Sequence, residues 1–329
     1  NVDPYFATNA LLVAHDAGLD IRRVATHWIA WGLQHQRPDG GFDRYCRKGE
    51  TLIACSGADA DDAVAAVWIE LLAKLAPTEG LPPAWEDSLR RANQLLDSLY
   101  DKASNVYFIS ASQPVGLLMD NVEVYTALQA MSQLKRRLGD QNQGLAFARQ
   151  ADYLANNIAR VFWQSCLKKL RPSTQLNTNP GFYPDQLAEV FPILAQMQIP
   201  GRDETTFFSN WLTSNRDQWF RLAPADYPWG LVAVATEKMG HHETVGCWLA
   251  LARKLRHGNH WNVLEEASFE ALESKTKATA FNESSCPVFS EEPSKDTLQP
   301  SVPSDLIIHS VSDRAIELGW NASTDNAKL

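Results

Sequence analysis

The stretch GADADDAVAAVWIELLAKL, Gly57 to Leu75, joins a cluster of aspartates to a run of apolar residues at helical spacing. At about 100° per residue, Val64, Val67, Trp68, Leu71, Leu72 and Leu75 fall on one stripe, and Ala63, Ala66 and Ala73 form a second side of small residues. A helix that is apolar on two sides is packed on two sides. Asp59, Asp61 and Asp62 stand at its start, where any of them can cap free N–H groups and where the helix dipole favours negative charge. Carboxylates grouped at the mouth of an interior helix also suit a catalytic or sugar-binding cleft.

Working outward, the chain has 329 residues, 45% hydrophobic and 21% charged, enough for one large domain with a sizeable core and a small appendage. Its net charge of -9 argues against a nucleic-acid or anionic-membrane partner, since either favours a basic patch. No apolar run approaches the roughly 20 residues of a membrane span. The start at Asn1, already inside a helical pattern, suggests a processed form or a fragment. The five cysteines show no CxxC spacing, so no zinc or redox motif is readable. Cys46 and Cys55 bracket the short loop RKGETLIA and can close as a disulfide in an oxidising compartment if geometry allows. Cys166 and Cys247 lie in helical patterns and read as buried packing residues.

The periodicity predicts helices in pairs: Pro4 to Ala17 with Ile21 to Gln36, Asp61 to Ala76 with Ala84 to Tyr100, and Asp120 to Leu138 with Gln143 to Ser165. Two further pairs are Pro184 to Gln198 with Asp203 to Asp217, and Pro228 to Met239 with Glu243 to Arg256. A last helix covers Asn262 to Lys275, and no stretch before it alternates as a strand. The segments leading into the first members share Asp, Pro, Gly and aromatic residues: VDPYF, GADADD, GLLMDNVE, GFYPDQLAE and ADYPWG. Alternating inner and outer helices would put all five lead-in segments on one rim. The expected fold is therefore all-α, an (α/α)6 toroid of helical hairpins lacking one helix, over residues 1–277. A Ser, Glu, Pro, Lys and Thr-rich linker covers 278–299, and a short β fragment covers 300–329.

Hydrolysis of a glycosidic bond needs two carboxyl groups, one protonating the leaving oxygen and one acting on water or the sugar. The proposed rim supplies Asp59, Asp61 and Asp62, then Asp120 and Glu123 three residues apart, then Asp185 and Glu189 four apart, so that each pair shares a helix face. Each acid can equally be a cap or a capping-box partner. Clustered carboxylates repel, so at least one should be held protonated, as a general acid requires. Tyr5, Phe6, Phe182, Tyr183, Tyr227 and Trp229 stand in the same lead-in segments, where rings stack on sugars or pack the core. No HExxH, P-loop, GxSxG or strand-flanked GxGxxG is present, so the pattern calls for no metal or cofactor.

On these residues the chain from 1 to about 275 resembles the six-hairpin glycosidase superfamily. SGADADDAVAAVWIELL is similar to the aspartate-rich start of an inner helix in glycoside hydrolase family 8, which implies that Asp61 or Asp62 positions sugar or water. That family carries its acid, a Glu, on an earlier inner helix, where this chain has VDPYFATNALL without Glu. MDNVEVYTAL resembles an inner-helix start in unsaturated glucuronyl hydrolases, which implies Asp120 as general acid. The tail PSVPSDLIIHSVSDRAIELGWNASTDNAKL resembles the opening third of a bacterial fibronectin type III module, with Pro303 and Leu306 on one strand and Ile316, Leu318 and Trp320 alternating on the next. Such modules accompany secreted polysaccharide-degrading enzymes, so the resemblance implies an exported, extracellular or periplasmic protein with a carbohydrate substrate, acting with inversion. Two alternatives use the same residues. One is a non-catalytic carbohydrate-binding or surface-interaction protein. The other follows WIAWGLQHQRPDGGF and Asp59-Ala60-Asp61-Asp62, which resemble the QW repeat and DxDD motif of terpene cyclases and would make Asp61 the proton donor.

Overall fold

The computed structural model describes residues 1–175, 180–222, 226–276 and 286, with the backbone of strands at 304–311 and 316–321. The chain divides into two compact units, Asn1–Cys286 and Pro287–Leu329.

The first unit is mainly helical. Its opening elements are α1 (Pro4–Asp16), α2 (Arg22–His35), the strands β1 (Asp43–Lys48) and β2 (Thr51–Gly57), α3 (Asp61–Leu75) and α4 (Pro83–Leu99). The two-residue strands β3 (Tyr100–Asp101) and β4 (Val106–Tyr107) then lead to α5 (Leu118–Arg137) and α6 (Gln141–Phe162). After β5 (Trp163–Gln164) and β6 (Lys169–Leu170) come a π-turn at Phe182–Gln186 and α7 (Phe191–Leu194). The unit continues through α8 (Glu204–Leu222), α9 (Gly230–Lys238), α10 (His242–Leu255) and α11 (Val263–Thr276).

The odd-numbered helices are consecutive neighbours. α1 packs on α3, α3 on α5, α5 on α7, α7 on α9, α9 on α11, and α11 returns to α1. Even-numbered helices lie against their predecessors: α2 on α1, α4 on α3, α6 on α5 and α10 on α9. Composition explains the division. In α3 every residue from Asp62 to Ala73 is buried, whereas α4 buries one stripe, Ser88, Leu89, Ala92, Leu95, Leu96 and Leu99. The alanines of α3 let α1 and α5 approach it closely from either side, and Trp68 fills the gap toward α4. Its indole donates to Ser88 Oγ at 2.9 Å, Ser88 Oγ donates to Gln36 Oε1 at 2.7 Å, and Gln36 Nε2 donates to the Gly40 carbonyl at 2.9 Å. This buried chain docks the exit of α2 onto α4, and it gives the QHQRPDGGF stretch a structural role.

The first unit departs from the all-helical expectation at the β1–β2, β3–β4 and β5–β6 strand pairs and at one broken helix. β1 and β2 form an antiparallel hairpin with Cys46 bonded to Cys55. Neither strand buries a face, so no alternation of apolar residues announces it. The helix expected over Pro184 to Gln198 is broken: Tyr183 is extended, the Tyr183–Pro184 bond is cis, and only Phe191–Leu194 forms a further short helix before Gln196 turns left-handed at φ 53°. Pro192, inside the expected span, removes a backbone donor that a continuous helix uses. Cys247 is buried in α10 as expected, whereas the reading of Cys166 as a buried helical residue is corrected. Cys166 is exposed in the β5–β6 turn, and Cys247 is bonded to Cys286, 39 residues away.

In the second unit β7 (Ser304–Val311) pairs antiparallel with β8 (Ile316–Asn321), Ile308 opposite Leu318 and Val311 opposite Ile316. Pro303 and, apart from Cys286, the linker expected at 278–299 lie outside the described residues. Among the described residues no helix is long and apolar enough to cross a membrane.

Candidate active site

Backbone carbonyls take the first N–H of α3 and of α5, and within the first turn of α3 Asp62 Oδ1 accepts the Ala63 N–H at 2.9 Å. The Asp61 N–H donates to the Ile109 carbonyl at 2.7 Å and the Leu118 N–H to the Pro172 carbonyl at 2.8 Å, and neither helix has a side-chain cap. Asp62 thus spends one oxygen on its own helix start and keeps the other, Oδ2, free of a protein partner.

Asp62, Asp120 and Glu123 come together beneath the surface, each less than a tenth exposed. The carboxyls of Asp62 and Asp120 lie in hydrogen-bonding contact. Such a contact exists only when one of the two holds a proton, and both are raised well above the ordinary carboxylate range, first by burial and then by the neighbouring acids. Glu123 is pushed up to about 8 by burial, its shift moderated by hydrogen bonds from Tyr5 and Asn9 and reinforced by the charges of Asp62 and Glu70. The Tyr5 hydroxyl donates to Glu123 Oε1 at 2.7 Å, and Asn9 Nδ2 reaches the same oxygen at 3.3 Å. One oxygen of each acid, Asp62 Oδ2, Asp120 Oδ2 and Glu123 Oε2, is buried without a protein partner. Tyr5→Phe removes the stronger donor to Glu123. The expected outcome is a further upward shift of the Glu123 titration, measured by carbon-13 NMR of its side-chain carboxyl.

Around these acids stands a wall of rings. Tyr5 meets Phe6 edge to face at 5.4 Å, Phe6 meets Tyr227 at 6.4 Å, and Tyr227 meets Trp229 edge to face at 5.6 Å. Trp229 lies flat on Tyr183, 5.4 Å between centroids and 12° between planes, with Phe182 behind it at 6.3 Å. Tyr183 is 55% exposed, and its phenol is raised by partial burial and by the charges of Asp120, Asp59 and Glu123. The rings from 5, 6, 182, 183, 227 and 229 thus border the carboxyls from α3 and α5.

The remaining acids have other partners. Asp59 is exposed and paired with Arg44, which also holds Asp3 at 2.7 Å. Asp61 accepts from Arg37 at 2.9 Å, and the same guanidinium binds Asp39 and Asp43. Asp185 accepts the Gly181 N–H at 2.9 Å and shapes the π-turn. Glu189 is buried beneath β6, accepts the Leu170 N–H at 2.9 Å, and is pushed up to about 7 by burial, with Lys169 and Arg202 as its charged neighbours. The structure places neither Asp185 nor Glu189 with the Asp62, Asp120 and Glu123 group.

Sequence reasoning missed Asn9 and Glu265. Asn9 reads as an ordinary polar residue one turn after Tyr5, and only the fold brings it to Glu123. Glu265 sits in the first turn of α11, where an acid reads as a complement to the dipole. Below Glu123 and Asn9, side chains of α1, α3, α5, α7, α9 and α11 enclose a cavity of about 130 Å³ that reaches to Asp16, Lys238 and Lys275. Among the described residues no three His, Cys, Asp or Glu side chains are grouped as ligands for a metal ion.

No family model matches the chain. A local stretch of 71 aligned residues is 34% identical to Chitinase Chi52 of Paenibacillus xylanexedens. The match spans 19% of this chain and 14% of that protein, too little to cover the helical unit. The two disulfides are consistent with an extracellular protein, formed in an oxidising compartment.

Proposed function

We propose that the helical unit is an exported glycoside hydrolase-like domain, an (α/α)6 toroid without its twelfth helix, that cleaves glycosidic bonds with its own carboxyl groups. The cyclic order of neighbours from α1 to α11 and the cavity lined from all six odd-numbered helices support the toroid. The observation that carries the activity is the convergence of Asp62, Asp120 and Glu123 beside a wall of aromatic rings. Their unpartnered oxygens accept from hydroxyls, the buried and unpartnered Trp229 Nε1 donates to one, and the exposed ring face of Tyr183 suits the C–H face of a sugar. A polyhydroxylated ligand meets all three demands.

In this reading Asp120 is the general acid. Burial and the charge of Glu123 raise Asp120 to about 8, so it holds a proton at neutral pH, and that proton passes to the glycosidic oxygen as the bond to the anomeric carbon breaks. Inversion needs about 6.5–9.5 Å between acid and base so that a water fits between them. Asp62 touches Asp120 and leaves no such space, so Asp62 is not the base. Asp61, one residue earlier and paired with Arg37 at 2.9 Å, is the better base. The same ion pair opposes the terpene cyclase alternative, in which Asp61 must donate a proton to an alkene. Reducing-end release from a panel of polysaccharides tests the proposal. Turnover of one glycan by the wild type is the expected result. Sugar binding without turnover on any of them favours the binding-protein alternative, and neither binding nor turnover overturns both.

A further inference from the structure

Trp229 opens α9 at φ 55° and ψ 56°, in the left-handed region that bulky side chains seldom occupy. Three contacts hold it there. The Glu265 carboxylate, brought across from α11 and 4% exposed, accepts the Gly230 N–H at 2.8 Å and the Trp229 backbone N–H. Gly230 lies so close to α11 that a Cβ on it would stand 2.5 Å from Ser268 Cβ and 2.9 Å from Glu265 Oε2. The Pro228 carbonyl accepts the indole N–H groups of Trp219 and Trp248, each at 2.9 Å.

A cap for α9 needs none of this strain, since a residue before a helix is ordinarily extended and uses its own side chain. What the left-handed turn achieves is the direction of the Trp229 ring, flat against Tyr183 and edge-on to Tyr227, at the border of the carboxyl group. We propose that Glu265 is a positioning residue for sugar recognition: by binding two successive N–H groups from a separate helix, it fixes the strained turn that presents Trp229 to the ligand. This rests on the glycan reading above, but its first readout does not.

The test uses the full chain labelled with 5-fluorotryptophan, the Trp229 resonance being assigned among the 11 tryptophans by its loss in Trp229→Phe. Glu265→Gln preserves size but offers one acceptor oxygen in place of two, and Glu265→Ala removes both. The expected result is a shifted Trp229 fluorine resonance in both variants, with KM for the hydrolysed glycan raised about threefold in Gln and about tenfold in Ala while kcat stays within twofold. A Gln variant whose Trp229 resonance and KM match the wild type overturns the proposal, whether or not the Ala variant folds. If the wild type binds no glycan, the function fails on its own, and the fluorine resonance of the Gln variant still decides the role of Glu265.

Discussion

Asp120→Asn is expected to lower glycan hydrolysis by at least about a thousandfold and to raise the melting temperature at neutral pH. The two effects have one cause. In the folded chain the Asp120 carboxyl is raised far above its value in the unfolded chain, about 3.9, because burial and Glu123 oppose its charge. Between those values the native state holds a proton that the unfolded state releases, so stability falls as pH rises through the window. Below about pH 4 the penalty is absent, and above the folded value, near the pH 8 at which Glu123 also titrates, it is complete. Asn carries no proton to lose, and its amide can donate to the unpartnered Asp62 Oδ2. Thermal unfolding of both proteins at pH 5 and pH 8 should show a gain that grows with pH, on the order of 1–3 kcal/mol at the upper end, or several degrees. A variant that is less stable at pH 8, or equally active, contradicts the assignment. The wild-type pH–rate profile should carry its alkaline limb near pH 8 for the same reason.

Gly40→Ala should damage the first unit severely for the addition of a single methyl. Gly40 has φ 97°, and a Cβ there would lie 2.2 Å from the Arg91 carbonyl oxygen and 2.5 Å from its carbon. Both are backbone atoms of α4, so no rotamer relieves the clash, and the turn itself disfavours a side chain. Moving the loop breaks the Gln36, Ser88 and Trp68 chain that docks α2 on α4. The expected cost exceeds about 3 kcal/mol, or roughly 6–12 °C in Tm for a unit of this size. Gly49→Ala is the control. It also has positive φ, 63°, but nothing lies within 4 Å of its Cβ, so about 1 kcal/mol is expected. Equal losses in the two variants, followed by circular dichroism melts, would show that conformation and not contact governs Gly40.

Much of the helical order was legible because α1, α3, α5 and α9 differ from their partners in the width of the apolar face, and that difference follows directly from being surrounded. The helix starts were legible as chemistry only in outline. Asp62 and Asp61 are adjacent and look alike in sequence, yet a helix turn of about 100° sends one into the core toward Asp120 and the other out to Arg37. Whether an arginine from the preceding loop reaches an aspartate is a matter of tertiary placement, which spacing along the chain does not encode. The β1–β2 hairpin escaped notice because both its faces meet solvent, leaving no hydrophobic period to read. Glu265 escaped because its role is performed on a different helix from its own.

The contact of α1 with α11 joins the first helix of the unit to the last. A nascent chain that has not yet released Val263 onward leaves the apolar flanks of both α1 and α9 uncovered, since α11 packs against each. Assembly therefore cannot finish progressively from the N-terminus, and the final helix acts as a keystone. Truncation before it should yield sticky, self-associating fragments with the flanks of α1 and α9 left bare, so expression boundaries for this unit belong after Cys286, which also keeps the bond to Cys247.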